Sequence, residues 1–343
     1  MGPEHTQHSL SLVCPGLLPG PDQAAGPVRC PAIEKFLCRA RRAAAPAQTL
    51  ENLTYRLFGY PVTESVPVAA VIRHAVAGDA AAGDYWMLAT PAHVAADRTQ
   101  LRLLDPGAPL TAAQSQQLVE ALNTHFQSQG LKFVAVSPRQ WLVKTQVMPA
   151  VEAPPYRQVL GRPVTMPLPA ARDREARRWP ALLNEIQMLL FAHPVNQQRE
   201  ADGLLPVNSV WCWGGGRLPA GCDTAVRRVY ADTLFAQGLA KLNAVDCDTS
   251  SALAAALSNE RPAGPLLYID TSLIDTVTGH RNAASQQQLA GRLEPLFAVL
   301  LQALKQGVVE RVSYYSLGKY NFELDRRALY RVWRRRRPLD AWS

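Results

Sequence analysis

The first candidate binding site in the sequence is a stretch that ends in three consecutive glycines, Gly214 to Gly216. They follow Asn208–Trp213, a short apolar and aromatic run that predicts a buried strand. Backbone N–H groups at glycine are not shielded by a side chain and can bind an anion. Open α/β sheets bind their ligands at the carboxyl edge. Because neither the Gly-x-Gly-x-x-Gly nor the Walker spacing is present, a tight strand exit beside another backbone is the alternative interpretation.

Other polar and aromatic side chains lie close to these glycines, within residues 191–219. The candidate ligand-binding residues are His193, Asn196, Arg199, Asn208, Trp211, Trp213, Gly214, Gly215, Gly216 and Arg217. The expected ligand is either a protein partner or a phosphorylated small molecule.

The C-terminal tail is a second candidate surface, because it interleaves cations with aromatic rings. Seven arginines fall between Arg326 and Arg337. Arginines neutralise phosphates and aromatic rings stack on bases, which would allow weak nucleic-acid contact. The candidates for such contact are Arg331, Trp333, Arg334, Arg335, Arg336 and Arg337. The alternative, which we favour, is a helix that packs Leu329, Val332 and Trp333 inward and leaves the arginines in solvent.

Composition indicates an ordinary globular protein. The chain has 343 residues, 48% of them hydrophobic and 19% charged, with a net charge of +8. No apolar run approaches the roughly 20 residues that a membrane span needs, and the N-terminus has no secretion signal, so we expect a cytoplasmic protein without membrane contact. The six cysteines form no Cys-x-x-Cys pair and are expected to be free thiols rather than metal ligands.

Hydrophobic patterning predicts alternating strands and helices, which favours a mainly parallel sheet covered by helices. Val68–His74 is too short for periodicity to decide between helix and strand. The predicted strands of this sheet are Ser9–Cys14, Gly264–Asp270 and Val309–Leu317. The predicted helices are Ala32–Arg42, Thr49–Phe58, Trp179–Phe191 with Pro180 in its first turn, Arg227–Gly238, Ser251–Leu257 and Gln286–Gln306, which Pro295 is expected to bend or to split in two.

Residues 84–144 predict a separate β-β-α-β-β unit. Pro91 is expected to close its first strand, Thr111 to cap its helix and Gly130 to end that helix. The predicted strands are Asp84–Thr90, Gln100–Leu104, Lys132–Val136 and Gln140–Lys144, and the helix is Ala112–Gln129.

Two patterns carry a resemblance to a known family. After the predicted helix that ends at Phe191, the range from His193 to Pro219 has a His-Pro-Val-Asn turn, a Gly-Leu-x-Pro-x-Asn step and a glycine-rich strand end. This order resembles archaeal-type, cofactor-independent phosphoglycerate mutases, and more closely a bacterial family related to them, the regulatory proteins of the RpfE type. Leu122, Asn123, His125 and Phe126 match the helix of the subdomain that is inserted in that family.

The resemblance implies an alkaline-phosphatase-like α/β sheet with an inserted α+β subdomain. We expect the main domain to comprise residues 1–75 and 150–343, and the insertion to comprise residues 76–149. The related enzymes bind two metals, and their first strand ends in an aspartate. Here that strand end offers Cys14, Pro15 and Gly16.

Other metal ligands implied by the resemblance are only partly present. An acidic strand end followed by a Gly-His step leaves Asp270, Asp275 and His280 as weak metal candidates. The Asp-His pair expected near the C-terminus is missing, since His280 is the last histidine in the chain. We therefore expect Asp270 to act as a cap rather than as a ligand.

These observations favour a non-catalytic regulatory or binding protein on a degenerate phosphoglycerate-mutase-like scaffold, with no confident catalytic residue and no cofactor. The alternative is a 2,3-bisphosphoglycerate-independent phosphoglycerate mutase, an isomerase, or a related metal-dependent phosphotransferase or phosphatase. That alternative would require Mn, Zn or Mg. Weak nucleic-acid association through the tail is a third possibility.

Overall fold

The computed structural model describes residues 8–18, 29–61, 65–78, 83–97, 100–146, 153–164, 174–259, 261–271, 283–331 and 333–342. The chain divides into two compact units. The first comprises Met1–Thr63 and Ala220–Ser343, and the second comprises Glu64–Pro219. Each unit is built around its own sheet.

The first unit contains a seven-stranded sheet in the order β10-β9-β11-β1-β12-β13-β2. The five strands from β10 to β12 are parallel, whereas β13 and β2 are antiparallel additions at one edge. The strands are β1 (Ser9–Val13), β2 (Arg41–Ala44), β9 (Arg228–Ala231), β10 (Asp246–Asp248), β11 (Leu266–Ile269), β12 (Arg311–Tyr315) and β13 (Tyr320–Asp325).

The middle of this sheet is buried. Every residue of β1 and of β11 is buried. Helices pack over the sheet, and the ring of Phe297 meets that of Phe36 edge to face, with ring centroids 5.1 Å apart. The helices of this unit are α1 (Pro31–Arg39), α2 (Leu50–Leu57), α8 (Leu234–Leu242), α9 (Leu253–Asn259) and α10 (Ala283–Gln306).

One predicted helix of this unit is wrong. Residues 227–238 were expected to form a single helix, but their first part is strand β9 and the rest belongs to α8. Val229 and Tyr230 are buried and pair with both β10 and β11, so sheet pairing outweighs the local helical pattern. Thr233 begins α8 as its N-cap, and its side chain accepts a hydrogen bond from the N–H of Ala236.

The tail also differs from the favoured prediction. Ala328–Tyr330 and Leu339–Trp342 form short 3-10 turns, and no helix runs through the described residues between them. Leu329 is buried as predicted, but Trp333 is 74% exposed. Trp333 is therefore not a packing anchor.

The second unit contains an antiparallel sheet with the path β5-β6-β3-β4-β7, and β8 pairs with β3. Its strands are β3 (Trp86–Asp97), β4 (Gln100–Leu104), β5 (Lys132–Ser137), β6 (Gln140–Lys144), β7 (Pro163–Val164) and β8 (Ser209–Gly216). Its helices are α3 (Val68–Ala77), α4 (Ala112–Phe126), α5 (Tyr156–Val159), α6 (Arg174–Phe191) and α7 (Pro194–Ala201).

Two prolines of this unit lie inside elements that they were expected to begin or to end. Pro91 does not close β3, because it falls between Trp86–Leu88, which pair with β6, and His93–Asp97, which pair with β4. On the other side of β3, Pro91 pairs with Val210 of β8 and so lies inside the strand. Pro180 lies inside α6, which begins six residues earlier than that proline.

Helix α4 follows its prediction closely. Thr111 forms a capping box with Gln114, and Gly130 takes a left-handed conformation after a 3-10 turn over Gln127–Gln129.

The strand that ends in three glycines lies in a different sheet from the one expected. Strand β8 pairs antiparallel with β3 over Trp86–Ala92, and so belongs to the second unit rather than to the parallel sheet. The compact units accordingly place residues 65–75 and 153–219 with the β-β-α-β-β segment, whereas the sequence boundaries of 76 and 149 placed them with the main domain. None of the described helices is long and apolar enough to cross a membrane.

Candidate functional site

The carboxyl edge of the parallel sheet in the first unit is the place where its strands bring polar groups together. Cys14 follows β1, Asp232 follows β9, Asp270 follows β11 and Ser316 follows β12. Parallel strands end at the same edge, which is where open α/β sheets place their ligands.

Asp270 is the most deeply buried acid at this edge, with 2% of its surface exposed. Its N–H donates to the carbonyl of Val13 at 3.0 Å, continuing the pairing between β11 and β1. Its Oδ2 accepts from Arg292 Nη2 at 2.6 Å and from the Tyr268 hydroxyl at 3.3 Å. Arg292 comes from α10, so a helix cation neutralises the strand-end carboxylate.

The neighbouring strand end carries a thiol where the related enzymes carry an acid. Cys14 is fully buried, and burial raises its pKa, to which the negative charge of Asp270 adds. Burial likewise raises the pKa of Tyr268, which keeps its hydroxyl protonated as a donor to Asp270. A thiol in such surroundings stays neutral at physiological pH and is a poor nucleophile and metal ligand.

The residues described at this edge do not fit the two-metal site of the related enzymes. A divalent cation requires carboxylate or imidazole ligands with accessible lone pairs. Oδ2 of Asp270 already receives two donors, one of them a cation. Within the described ranges no group of three or more His, Cys, Asp or Glu side chains could hold a metal ion. Asp275 and His280 lie outside those ranges, as do the residues that Asp270 was expected to cap.

The second acidic strand end has a structural role. Ser250 donates through its hydroxyl to Asp232 Oδ2 and through its backbone N–H to Oδ1 at 3.3 Å. Asp232 thereby fixes the 3-10 turn Ser250–Ala252 that follows β10. Two strand ends of the sheet are joined by this pair.

In the second unit, the candidate polar side chains between residues 191 and 208 bond to backbone. His193 is the N-cap of α7, where its Nδ1 accepts from the N–H of Val195 at 3.2 Å. Burial lowers the pKa of His193, which favours the neutral ring that can accept this bond. Asn196 donates to the carbonyls of Leu190 and Val207 and accepts from the N–H of Val207.

Arg199 and Asn208 make similar internal bonds. Arg199 is almost fully buried, and its guanidinium donates to the carbonyls of Leu205, Pro106 and Ala108 at 2.9–3.1 Å. Burial lowers its pKa. Asn208 bonds the backbone of Val94 in both directions, accepting at 2.8 Å and donating at 3.0 Å.

The tryptophans and glycines of β8 also make contacts within the second unit. The indole N–H of Trp211 donates to the carbonyl of Pro154, and that of Trp213 donates to the hydroxyl of Thr90. The register with β3 shifts between Trp86 and Leu88, so the glycines form a β-bulge. Arg217, just beyond them, is exposed.

Each glycine of the bulge touches a neighbour too closely for a side chain. Gly214 has φ +60°, and a Cβ there would lie 3.0 Å from that of Val68. A Cβ on Gly215 would lie 2.5 Å from the Tyr85 hydroxyl, and one on Gly216 would lie 2.5 Å from Cβ of Pro67. These contacts are those of a tight strand exit, and ligand binding by this stretch stays a prediction.

Sequence reasoning missed Arg292. It lies 22 positions after Asp270 and next to Leu293 in the apolar pattern of α10, so nothing local distinguishes it from a solvated helix cation. Only the packing of α10 over the sheet brings the two side chains together.

Comparison with known proteins gives partial sequence matches. No family model matches the chain. A probable 2,3-bisphosphoglycerate-independent phosphoglycerate mutase of Geobacter sulfurreducens is 26% identical over 170 residues, which is 49% of this chain and 40% of that protein. The corresponding mutase of Methanosarcina mazei is 27% identical over 165 residues, 48% of this chain and 39% of that protein. The match thus spans about two-fifths of each relative's length.

Solved structures show a likeness over nearly the whole chain. The PH0037 protein of Pyrococcus horikoshii superposes with a TM-score of 0.53 and 11% identity, covering 94% of this chain and 88% of that one. The cofactor-independent phosphoglycerate mutase of Thermoplasma acidophilum has a TM-score of 0.45 at 14% identity, covering 93% and 90%. The chain has a mixed α/β, alkaline-phosphatase-like fold and is similar, at low identity, to cofactor-independent phosphoglycerate mutases.

Proposed function

We propose that this chain is a non-catalytic regulatory or binding protein on a phosphoglycerate-mutase-like scaffold, of the RpfE type. The observation that carries this proposal is the ion pair of Arg292 with the buried Asp270, beside the neutral thiol of Cys14. It lies at the sheet edge that binds ligands in open α/β folds.

The physical reason is charge. Two-metal phosphoryl transfer needs carboxylates that can accept divalent cations at the end of the sheet. A guanidinium 2.6 Å from Oδ2 of Asp270 already satisfies that carboxylate and repels a second cation. The first strand cannot compensate, because its end carries a thiol whose pKa burial raises.

The site that remains is suited to binding rather than to turnover. We propose a cytoplasmic protein whose partner is another protein or a phosphorylated small molecule. The side chain of Arg292 is half exposed, so part of its charge still faces solvent at this edge. The enzyme alternative requires Mn, Zn or Mg and a ligand set completed from residues such as Asp275 and His280.

A mutase assay together with metal analysis tests the proposal. Purified protein is assayed for interconversion of 3- and 2-phosphoglycerate with added Mn, Zn or Mg, beside the Methanosarcina mazei mutase as positive control. We expect no turnover above background and no stoichiometric metal by elemental analysis. Metal-dependent turnover that disappears in Asp270→Ala or His280→Ala would overturn the proposal and establish the enzyme alternative.

A further inference from the structure

The described residues 330, 331 and 333–337, called here the tail loop, are anchored at both ends. Leu329 before it and Leu339 after it are both buried in the core of the first unit. Beyond it, the ring of Trp342 meets that of Phe322 edge to face with centroids 5.7 Å apart. Its indole N–H donates to the carbonyl of Arg337. Both ends of the tail loop are therefore held by packing in the first unit.

Hydrogen bonds join this loop to the C-terminal end of α1. Arg39 donates to the carbonyl of Leu329, and Arg331 donates back to the carbonyl of Arg39 at 3.3 Å. Arg334 donates to the carbonyl of Ala40 at 3.0 Å. Strand β2 starts directly after Ala40, so the tail loop and this exposed edge of the sheet are adjacent.

Positive charge accumulates in the tail loop. Arg335, Arg336 and Arg337 are exposed, and none of them forms an ion pair with another described residue. The pKa of Lys35 is lowered by burial and then by the charges of nearby cations, Arg336 among them. All four residues of β2 are exposed, and Arg42 lies over the ring of Tyr320 at 4.2 Å.

Aromatic rings lie in solvent among these cations. Trp333 is 74% exposed and Tyr330 is 61% exposed, although large aromatic side chains ordinarily bury. Fixed cations neutralise phosphates, and an exposed ring offers a face on which an unpaired base can stack. A membrane surface would instead call for a continuous apolar face, whereas each residue from 334 to 337 is an arginine.

We propose that the tail loop and the adjoining edge strand β2 form a binding surface for single-stranded nucleic acid. Arg335, Arg336 and Arg337 contact phosphates, and Trp333 stacks on a base. Stacking favours a single strand over a duplex, whose bases are already stacked on each other. The surface is independent of the carboxyl edge, so a failure of either proposal leaves the other standing.

Fluorescence anisotropy of a labelled oligothymidylate at several salt concentrations tests this surface. The variants are Arg335→Ser/Arg336→Ser/Arg337→Ser and Trp333→Ala. The control Arg102→Ser/Lys132→Ser/Arg162→Ser removes the same charge from exposed positions of the second unit. A plot of log affinity against log salt has a negative slope, and each phosphate contact contributes about −0.7 to it. We therefore expect the slope of the arginine variant to be less steep by about 2. Trp333→Ala should weaken binding roughly tenfold with the slope unchanged.

Melting curves show that each variant is folded, and all are expected to melt like the parent because the changed side chains are exposed. The proposal is overturned by absence of binding at low salt, or by an equal loss of affinity in the control. It is also overturned if a duplex of the same length, or vesicles containing phosphatidylserine, bind more tightly than the single strand. Should the arginine variant fail to fold, Trp333→Ala decides alone.

Discussion

The carboxyl edge of the parallel sheet and the stretch 191–219 use polar side chains in opposite ways. At the sheet edge, side chains bond one another, as Arg292 and Tyr268 bond Asp270. In the stretch, the two most buried polar side chains bond backbone: Asn196 and Arg199 bond five carbonyls and one N–H between them. The first arrangement can be changed by evolution one side chain at a time. The second is fixed by the course of the chain.

This difference explains why the stretch 191–219, which has the more distinctive sequence pattern, has the more structural role. A buried backbone carbonyl or N–H without a partner costs about 1–3 kcal/mol, so the residues that satisfy such groups are stringently specified. The stretch is distinctive because Asn196 and Arg199, both almost fully buried, are specified by the backbone groups that they bond. At the sheet edge, Arg292 and Asp270 bond each other through side chains, so exchanging Arg292 leaves no backbone group without its partner.

The largest effect in this comparison is expected for Asn196→Ala. The change leaves two carbonyls and one N–H without their side-chain partner in a buried region, and we expect a loss of about 3 kcal/mol in the free energy of unfolding. Urea unfolding measures it. Gln197→Ala, at an exposed position of the same helix, is the control and should change stability by less than about 0.5 kcal/mol. Equal effects of the two variants would contradict a structural role for Asn196.

Gly216→Ala tests whether the glycine bulge is a packing device. The added Cβ would lie 2.5 Å from Cβ and 3.0 Å from Cα of Pro67, whose backbone cannot rotate away. We expect a destabilisation of about 2 kcal/mol in thermal or urea unfolding. Gly83→Ala is the matched control, because a Cβ there meets nothing within 4 Å. Normal stability of Gly216→Ala with loss of phosphate-ester binding would favour the anion-cradle interpretation instead.

Arg292→Met tests the sheet edge. It leaves the carboxylate of Asp270 buried without its cation, and we expect a loss of about 1–2 kcal/mol, less than for a fully buried pair because the Arg292 side chain is half exposed. The double variant Asp270→Asn/Arg292→Met should recover part of that loss. Arg261→Met, which breaks an exposed pair with Glu310, is the control and should cost under about 0.5 kcal/mol. Full stability of Arg292→Met alone would show that the ion pair does not hold this edge together.

The sequence predicted the elements whose signals are local. Thr111 caps α4 and Gly130 ends it, because both signals lie within one turn of the helix. The parallel sheet of the first unit also follows from short strand-forming runs such as β1 and the apolar β11. Local signals fail where pairing decides: residues 228–231 have a helical pattern and become a strand between two others.

The candidate site was less predictable than the fold. Cys14 and Asp270 are recognisable as strand ends, but the guanidinium that neutralises Asp270 comes from a helix 22 residues away. The sheet to which β8 belongs depends on pairing with β3, more than 110 residues earlier, between Pro91 and Val210 for instance. The exposure of Trp333 depends on the anchoring of Leu329 and Leu339 in the core. None of these long-range relations has a local pattern.

The smallest effect is expected for one thiol from each region, the buried Cys14 at the sheet edge and the partly buried Cys212 in β8. Burial raises the pKa of Cys212 to about 12, and it raises that of Cys14 as well. In the unfolded chain a cysteine loses its proton near pH 8.5–9. Above that pH the folded state binds more protons than the unfolded state, so stability falls as pH rises. Each thiol should contribute a loss of about 1 kcal/mol or less in the free energy of unfolding between pH 8 and pH 9.5, before most tyrosines of the unfolded chain ionise.

Urea unfolding across that range should therefore give a shallower decline for Cys14→Ala and for Cys212→Ala than for the parent. Below pH 8 the variant curves should run parallel to the parent curve, displaced only by lost packing, which serves as the internal control. A variant whose decline matches that of the parent up to pH 9.5 would show that its thiol ionises in the folded protein. At Cys14 that result would return the thiolate to consideration as a ligand at the sheet edge.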